Sequence, residues 1–453
     1  MAGDAVLRAL ATACPAARAA DGSDAVAGVT PRYAASPASV AEASALLHAA
    51  ADHGLCVVAR GSGSRLDWGA APHRCDLVVD TTLLNQVVEH AAGDLVTRVQ
   101  AGVGLDRLGE VLAAAGQQLA LDALAGVRNG TAADAGSAAG GNGSAGQPAT
   151  IGGTLATGVA GPRRLRYGTP RDLVIGITVV RADGTVASSG GKVVKNVAGY
   201  DLGKLFAGSY GTLGLIVEAV FRLHPLPSAA GYTTMAADGP AAAHRAVAAA
   251  AGSELAPTAV EISRSGRGQP VRVGVLLEGD PAGVDERSAV LRALLGDGAM
   301  TAPEPPGWWG RYDPGTGTLI RVAFWADALP RVLAVIDAAA AAAGVDPLVA
   351  GSAAAGVVYA ALREDADTGA AAGFIAALRA ALARGEADAR PQAAARPDSP
   401  PVLASVVVLH APPPVRDQVD LWGPVPGLAL MRAVKDQFDP GHRMAPGRFV
   451  GGI

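Results

Sequence analysis

The stretch RGSGSRLDWG, residues 60–69, follows the apolar run LCVV at 55–58 and carries glycines at Gly61, Gly63 and Gly69. Such a turn after a buried strand is either a plain connection or a nest of main-chain N–H groups that grips a phosphate, since backbone without Cβ atoms lets a ligand come close. The turn alone does not choose. Leu66 stands where the third glycine of G-x-G-x-x-G belongs, so the dinucleotide fingerprint fails, and no Gly-Lys-Ser/Thr follows to make a phosphate loop. The decision lies elsewhere in the chain.

At 453 residues the chain exceeds the length at which one core stops growing, so two or more domains are expected. Apolar residues make up 50% and aromatic ones only 4%, so the interior must be built from Ala, Val and Leu. A formal net charge of -4 gives no field suited to a polyanion, which sets nucleic acid aside as a partner. Cys14, Cys56 and Cys75 show no C-x-x-C spacing, which argues against a disulfide framework, a structural zinc site or an iron–sulfur cluster. A cytoplasmic location is therefore expected. The opening MAGDAVLRALATACPAARAADGSD has an acid at Asp4 and a short apolar run, unlike a secretory signal. VLAVIDAAAAAAG at 332–344 is too short for a membrane span and carries Asp337, so membrane contact is expected only through partners.

Ser39-Val40-Ala41-Glu42 reads as a capping box opening a helix that runs to His53 and stops at Gly54. Strands are expected at 55–59, 77–79 and 95–100, and LDRLGEVLAAAG at 105–116 places Leu105, Leu108, Val111 and Leu112 on one side at helical spacing. This alternation is α/β or α+β, without internal repeats. AGVRNGTAADAGSAAGGNGSAGQP at 125–148 has no apolar period and is expected to be a mobile surface loop. DLVIGITVVRADGTVASSG at 172–190 reads as a hairpin turning at Ala182-Asp183-Gly184. A short helix near Asp201 to Phe206 leads into a strand at 215–223, and Pro225 and Pro227 mark a domain boundary. Beyond it, strands such as VRVGVLLEG (271–279) and LIRVAFWA (319–326) alternate with alanine-rich helices, and a flexible loop rich in Pro and charge follows at 384–401. The tail at 430–453 reads as a helix through Phe438 and then turns that dock.

Three glycine clusters, at 60–69, 150–158 and 208–214, stand beside apolar elements, so bare backbone from each is able to face one cleft. With 59 glycines in the chain, a single cluster arises from composition alone. Their order and wording say more. RGSGSRLDWG, ATIGGTLATG, KNVAGYDLGKLFAGSYGTLGLI and DPGHRMAPGRFV together resemble the FAD-binding oxidases of the vanillyl-alcohol oxidase and p-cresol methylhydroxylase type. Within that group, GPRRLRYGTPRDLVIGI and GGKVVKNVAGYDLGKLFAGS look most like the FAD-binding E subunit of bacterial glycolate oxidase. The resemblance covers residues 35–227 and 430–453.

It implies an α+β protein: a two-subdomain FAD-binding fold of the p-cresol methylhydroxylase type with a C-terminal α/β cap. On that plan residues 1–34 lead in, 35–227 bind FAD, 228–429 form a cap that meets substrate or another subunit, and 430–453 return to the flavin. Arg60, Gly61, Ser62, Gly63, Ser64 and Arg65 would wrap the pyrophosphate. Thr150, Ile151, Gly152 and Gly153, with Ala156, Thr157 and Gly158, would pass along it toward the ring. Gly211, Thr212, Leu213 and Gly214, with Ile216 and Val217, would line adenine and ribose through backbone groups. Where some relatives tether FAD through a histidine of the first loop, this chain has Ser64, so noncovalent FAD is expected.

The function implied is that of an FAD-dependent oxidoreductase subunit of a glycolate oxidase-type complex, oxidising a small 2-hydroxy acid by hydride transfer to flavin N5. Its partners would be a second flavoprotein subunit and an iron–sulfur subunit. The alternative is a noncatalytic, flavin-carrying electron-transfer or scaffold subunit. Relatives that oxidise 2-hydroxy acids carry a metal-binding histidine pair and a G-D-G-N-x-H stretch in the cap, whereas His244, His410 and His442 stand far apart here, so no metal site is expected and the alternative gains. Tyr210, where D-type relatives have glutamate, is a second departure. No catalytic base is identified. Arg163, Arg164, Arg166 and Arg171 would receive a carboxylate, or form a solvated face or docking patch. Lys192 and Lys195 either neutralise flavin or phosphate charge or are exposed.

Overall fold

The computed structural model describes residues 2–122, 125–126, 149–192, 200–313, 315–384 and 404–453. Of the expected loops, 127–148 and 385–401 lie outside the described residues, while Ala125–Gly126 forms a short parallel pairing with Arg311–Asp313.

Among the described residues the strands form three principal sheets. In the first, Tyr33–Ala35, Leu77–Asp80 and Val57–Arg60 run parallel, short apolar runs buried by cover on both faces. Helix Val40–Asp52 covers it. Ser39 Oγ accepts from Glu42 N–H at 3.1 Å, and the Glu42 carboxylate reaches back to Ala38 N–H at 3.0 Å, one residue beyond the cap itself. Helix Ala2–Ala13 adds Leu10 to the same core as Leu46 and Leu47, and Arg18–Ala19 pairs at the sheet edge. Residues 2–34 are thus packed into this unit.

The second sheet is antiparallel, in the order Val186–Gly190, Val174–Val180, Leu215–Arg222, Val96–Gln100, Val87–Ala91. Its hairpin sets Val186 opposite Val180, with Gly184 at φ 84° in the turn. Leu215–Arg222 sends Leu215 and Val217 into the core shared with the first unit and Ile216, Ala219 and Phe221 into a second core with Ile151, Leu155 and Phe206. This one strand joins the two subdomains.

The third sheet, the cap, is eight-stranded and antiparallel. Ala229–Ala237, Pro240–Ala251, Ala259–Arg264, Val271–Gly279, Pro281–Leu295 and Met300–Ala302 make one β-α-β-β-α-β unit. Thr318–Phe324, Leu329–Ala343, Leu348–Gly351, Val357–Leu362, Thr368–Arg384 and Ala404–His410 make a second, and the two join where Ile262 pairs with Gly351. The same path is folded twice although no residue pattern repeats in the sequence. Alternate strand residues divide the faces. Val260, Ile262, Val273 and Ile320 meet the helices, while Leu319, Tyr359, Val407 and Leu409 meet Trp68 and Val159 of the FAD-type part.

The tail helix Leu428–Phe438 is pinned by Lys435, which is 1% exposed and donates to Thr212 O at 2.7 Å, Asp439 Oδ2 at 2.7 Å and Met444 O at 2.9 Å. Met444 then pairs in parallel with Val57, so the tail lies along the edge of the first sheet beside the strand that leads into the first glycine turn.

Candidate functional site

Strand Val57–Arg60 ends in a turn with Gly63 at φ 80°. Within it the N–H groups of Ser62, Gly63 and Ser64 have no hydrogen-bond partner among the described residues, although Leu66 N–H donates to Gly63 O. Consecutive unpartnered donors on a curved backbone are an anion-binding concavity. Arg60 does not add a free charge. Its guanidinium holds Asp80 at 3.0 Å and the fully buried Asp24 at 3.2 Å, which fixes the base of the turn.

The second glycine cluster meets this turn. Helix Ile151–Thr157 begins at Thr150, whose Oγ1 accepts from Gly153 N–H at 3.3 Å. A Cβ on Gly61 would collide with that same oxygen. Ile151 and Gly152 N–H groups are already spent on Val103 O and Ala101 O, at 2.9 and 2.7 Å, and both residues face the sheet. Arg60 to Arg65, Thr150, Gly153, Ala156 and Thr157 line one cleft. Gly158 ends the helix at φ 64° and lines a neighbouring cleft.

The third cluster stands beside the first cleft, where only Tyr210 of it is among the lining residues. Thr212, Leu213, Ile216 and Val217 are buried, and the segment 211–217 sits behind the cleft, because Leu215–Arg222 is a central strand with partners on both sides. Gly211 and Gly214, at φ 76° and 157°, shape the turn that feeds it. The residue brought forward is Tyr210. It holds a left-handed φ of 55°, unusual outside glycine, donates its N–H to Ala156 O at 2.8 Å, and lines both clefts. Burial pushes its phenol up, against the lowering pull of Arg321, Arg448 and Arg65, so the hydroxyl keeps its proton.

Arg448 completes the first cleft, and the sequence reading did not single it out. It is 3% exposed, and Nη2 donates to Leu66 O at 2.7 Å and Trp68 O at 2.6 Å. Its Nη1 is buried without a partner among the described residues. Burial lowers this guanidinium to about 10, with Tyr210 and Asp67 working the other way. The docking turns of DPGHRMAPGRFV were the available signal; nothing local showed what they dock onto.

The second cleft, about 310 Å³, opens between the FAD-type part and the cap beside Thr157 and Tyr210. Tyr210, Trp422 and Phe449 form an aromatic wall, with ring centroids 4.8 to 5.8 Å apart. Of the four arginines weighed from sequence, Arg171 lines it. Arg163 is bound to Asp122 at 2.6 Å and to Gln118, Arg164 to Ala160 O and the Tyr359 hydroxyl, and Arg166 to Ala256 O. Lys192 pairs with Glu89, and Lys195 lies outside the described residues.

The histidines remain apart. His244 is on a cap helix, and His442 pairs with Asp436 at 2.9 Å. His410 sits between Gly317 O at 2.6 Å and Asp67 at 2.9 Å, tying the cap to the first glycine turn. Burial would raise the Asp67 carboxyl, but the hydrogen bond and charge of His410 outweigh it and hold it below its ordinary value. Deeper in the cap, the Glu261 carboxylate accepts from Tyr312 and Ser352 hydroxyls, and burial pushes it up to about 7 despite them.

Residues 31–144 and 129–190 match the FAD binding domain family. Glycolate oxidase subunit GlcD of Bacillus subtilis is 36% identical over 204 residues, 44% of this chain and 39% of that protein. Glycolate oxidase subunit GlcE of Escherichia coli is 48% identical over 84 residues, 18% of this chain and 24% of GlcE. The aligned segments span well under half of either relative, and the longer alignment is to GlcD, so the E subunit is not singled out. The structure of p-cresol methylhydroxylase covers 98% of this chain and 96% of its own, with a TM-score of 0.70 at 14% identity, which establishes the fold. The segment that builds the first cleft is thus FAD-binding in type, within a p-cresol methylhydroxylase fold.

Proposed function

We propose that the chain is an FAD-dependent oxidoreductase subunit acting on a small 2-hydroxy acid within a glycolate oxidase-type complex. The observation that carries this is the row of partnerless N–H groups at Ser62–Ser64, pressed against Thr150, inside a segment that matches an FAD binding domain. The residues fit a diphosphate. Main-chain donors are unpartnered, side chains are excluded at Gly61, and Arg448, whose buried Nη1 has no partner among the described residues, lines the same cleft. Bound FAD supplies the two-electron oxidant that a 2-hydroxy acid requires. The chain's own groups hold and orient: Ser62 to Ser64 take the phosphates, Arg448 supplies a fixed cation, and the Tyr210 hydroxyl stands as a donor between the two clefts. Trp422 and Phe449 give the second cleft an apolar wall.

With Ser64 in the first loop, FAD is held noncovalently; acid precipitation should leave a colourless pellet, and yellow in the pellet refutes that. A second flavoprotein subunit and an iron–sulfur subunit are the proposed partners, with membrane contact only through them, and a cytoplasmic location. The E-type reading is supported by the 48% identity over 84 residues.

A second reading, a noncatalytic flavin carrier beside a catalytic flavoprotein, is favoured by one observation: His410, a cap histidine, is committed to Asp67 and Gly317 O and is not one of a pair facing a cleft. One experiment separates the two. The purified chain is given FAD, its visible spectrum is taken, and glycolate or D-lactate is added without oxygen. Bleaching supports the first reading, an unbleached flavin selects the second, and failure to take up FAD overturns both.

A further inference from the structure

Arg321 lies in the middle of the cap strand Thr318–Phe324, opposite Tyr359 on one side and Val407 on the other. Its side chain falls on the sheet face turned away from the helices and lines the second cleft. Three other buried or half-buried cap arginines are committed. Arg264 holds Asp337, Arg287 holds the Glu278, Gly283 and Leu255 carbonyls, and Arg379 holds the carbonyls of Val406, Asp420 and Leu421. Arg321 has neither hydrogen bond nor ion pair among the described residues. Arg171, which reaches the same cleft from the FAD-type part, has none either. Arg171 stands exposed at the rim and Arg321 is half-buried farther in, so an anion entering the cleft would meet two cations with which no carboxylate among the described residues pairs.

The rest of the wall narrows the kind of anion. Val407, Trp422, Phe449 and Val450 are apolar or aromatic, and the space of about 310 Å³ is more than a two-carbon acid fills. We propose that this cleft binds a monocarboxylic acid with a hydrocarbon side chain, Arg321 gripping the carboxylate, Arg171 completing the charge, and the Tyr210–Trp422–Phe449 wall receiving the side chain. On the flavin-dependent reading above, on which the inference rests, the substrate is then a 2-hydroxy acid larger than glycolate.

The test uses the full chain with FAD added and two acids that have no hydroxyl to oxidise, phenylacetate and acetate, titrated by calorimetry, with neutral 2-phenylethanol as control. Phenylacetate should bind at least about 10-fold tighter than acetate, from the apolar area it buries, and 2-phenylethanol should bind weakly. Arg321→Met should weaken phenylacetate about 10- to 100-fold, the usual worth of hydrogen bonds to a charged group, with Arg321→Lys in between. Ser405→Asp, at an exposed position on the same cleft, should weaken it too and covers the case in which Arg321→Met fails to fold. Equal affinity in Arg321→Met and wild type, no binding by the wild type, or equal affinity for the two acids overturns the proposal. If phenylacetate binding depends on Arg321 but no 2-hydroxy acid bleaches the flavin, the enzymatic reading fails and the cleft stands. If 2-hydroxy acids bleach the flavin as readily in Arg321→Met, the cleft assignment fails and the enzymatic reading stands.

Discussion

Gly61 and Thr150 approach so closely that a single Cβ on Gly61 would run into Thr150 Oγ1. Residues 89 positions apart in sequence thus form one wall of the first cleft, and the threonine is also the cap of helix Ile151–Thr157. Gly61→Ala should therefore cost about 1–3 kcal/mol by overpacking and reduce flavin affinity together with stability. Pairing it with Thr150→Ala removes the obstructing oxygen. A double-mutant cycle by urea denaturation should then show coupling of about 1 kcal/mol or more, and strictly additive losses would mean that the two residues do not touch.

Arg448 bridges two carbonyls of the glycine turn and keeps one nitrogen in reserve. Arg448→Met leaves Leu66 O and Trp68 O without their donor and removes the cation. Flavin affinity, followed by fluorescence quenching on titration, should fall about 10- to 100-fold from the loss of charged hydrogen bonds. Arg448→Lys should recover part of it. An unchanged affinity in the methionine variant would show that the orphaned nitrogen does not face the cofactor.

Glu261 gives stability a predictable pH dependence. Its unfolded carboxyl titrates near 4.5 and its folded one near 7 because the group is buried. The folded state therefore binds the extra proton between those values, so stability is highest below about 4.5, falls as the pH rises toward 7, and levels off above it. The drop is at most about 3 kcal/mol. Glu261→Gln keeps the partners of Tyr312 and Ser352 without a charge, and its stability at pH 8 should equal or exceed wild type. Denaturation curves at pH 5, 6 and 8 that shift in parallel for both proteins would contradict this.

Lys435 and Asp439 form a pair that is almost fully buried, 1% and 0% exposed, and all three ammonium protons are used. Burial lowers the ammonium pKa, and Asp439 opposes that. Lys435→Met strands the carboxylate and should cost about 3–5 kcal/mol, detaching the tail and with it Arg448. Adding Asp439→Asn should return part of the loss. A melting temperature that stays at the wild-type value in the single variant would argue against the buried pair.

The strands Val271–Gly279 and Val174–Val180 with its hairpin were legible because apolar runs and a glycine turn are local signals. The first two glycine clusters were legible as a common wall for the same reason: glycine marks where backbone meets backbone. In the third cluster Gly211 and Gly214 shape the turn into the strand, and the member lining both clefts is the half-buried Tyr210, whose left-handed φ leaves no mark in the residue pattern. Arg448 and Arg321 were not legible. The first is defined by carbonyls of Leu66 and Trp68 far away in the chain, the second by a strand face that only the assembled cap sheet orients. The doubled path of the cap was hidden because topology is kept by alternating apolar strands and helices of any wording.

The donor that fastens the Leu66 carbonyl arrives 382 residues later. During synthesis on the ribosome, both subdomains of the FAD-type part and the whole cap emerge before Arg448 does. The cleft is therefore complete only once the tail has docked, so on the proposed reading a chain truncated upstream of Arg448 would lack part of the wall that holds FAD.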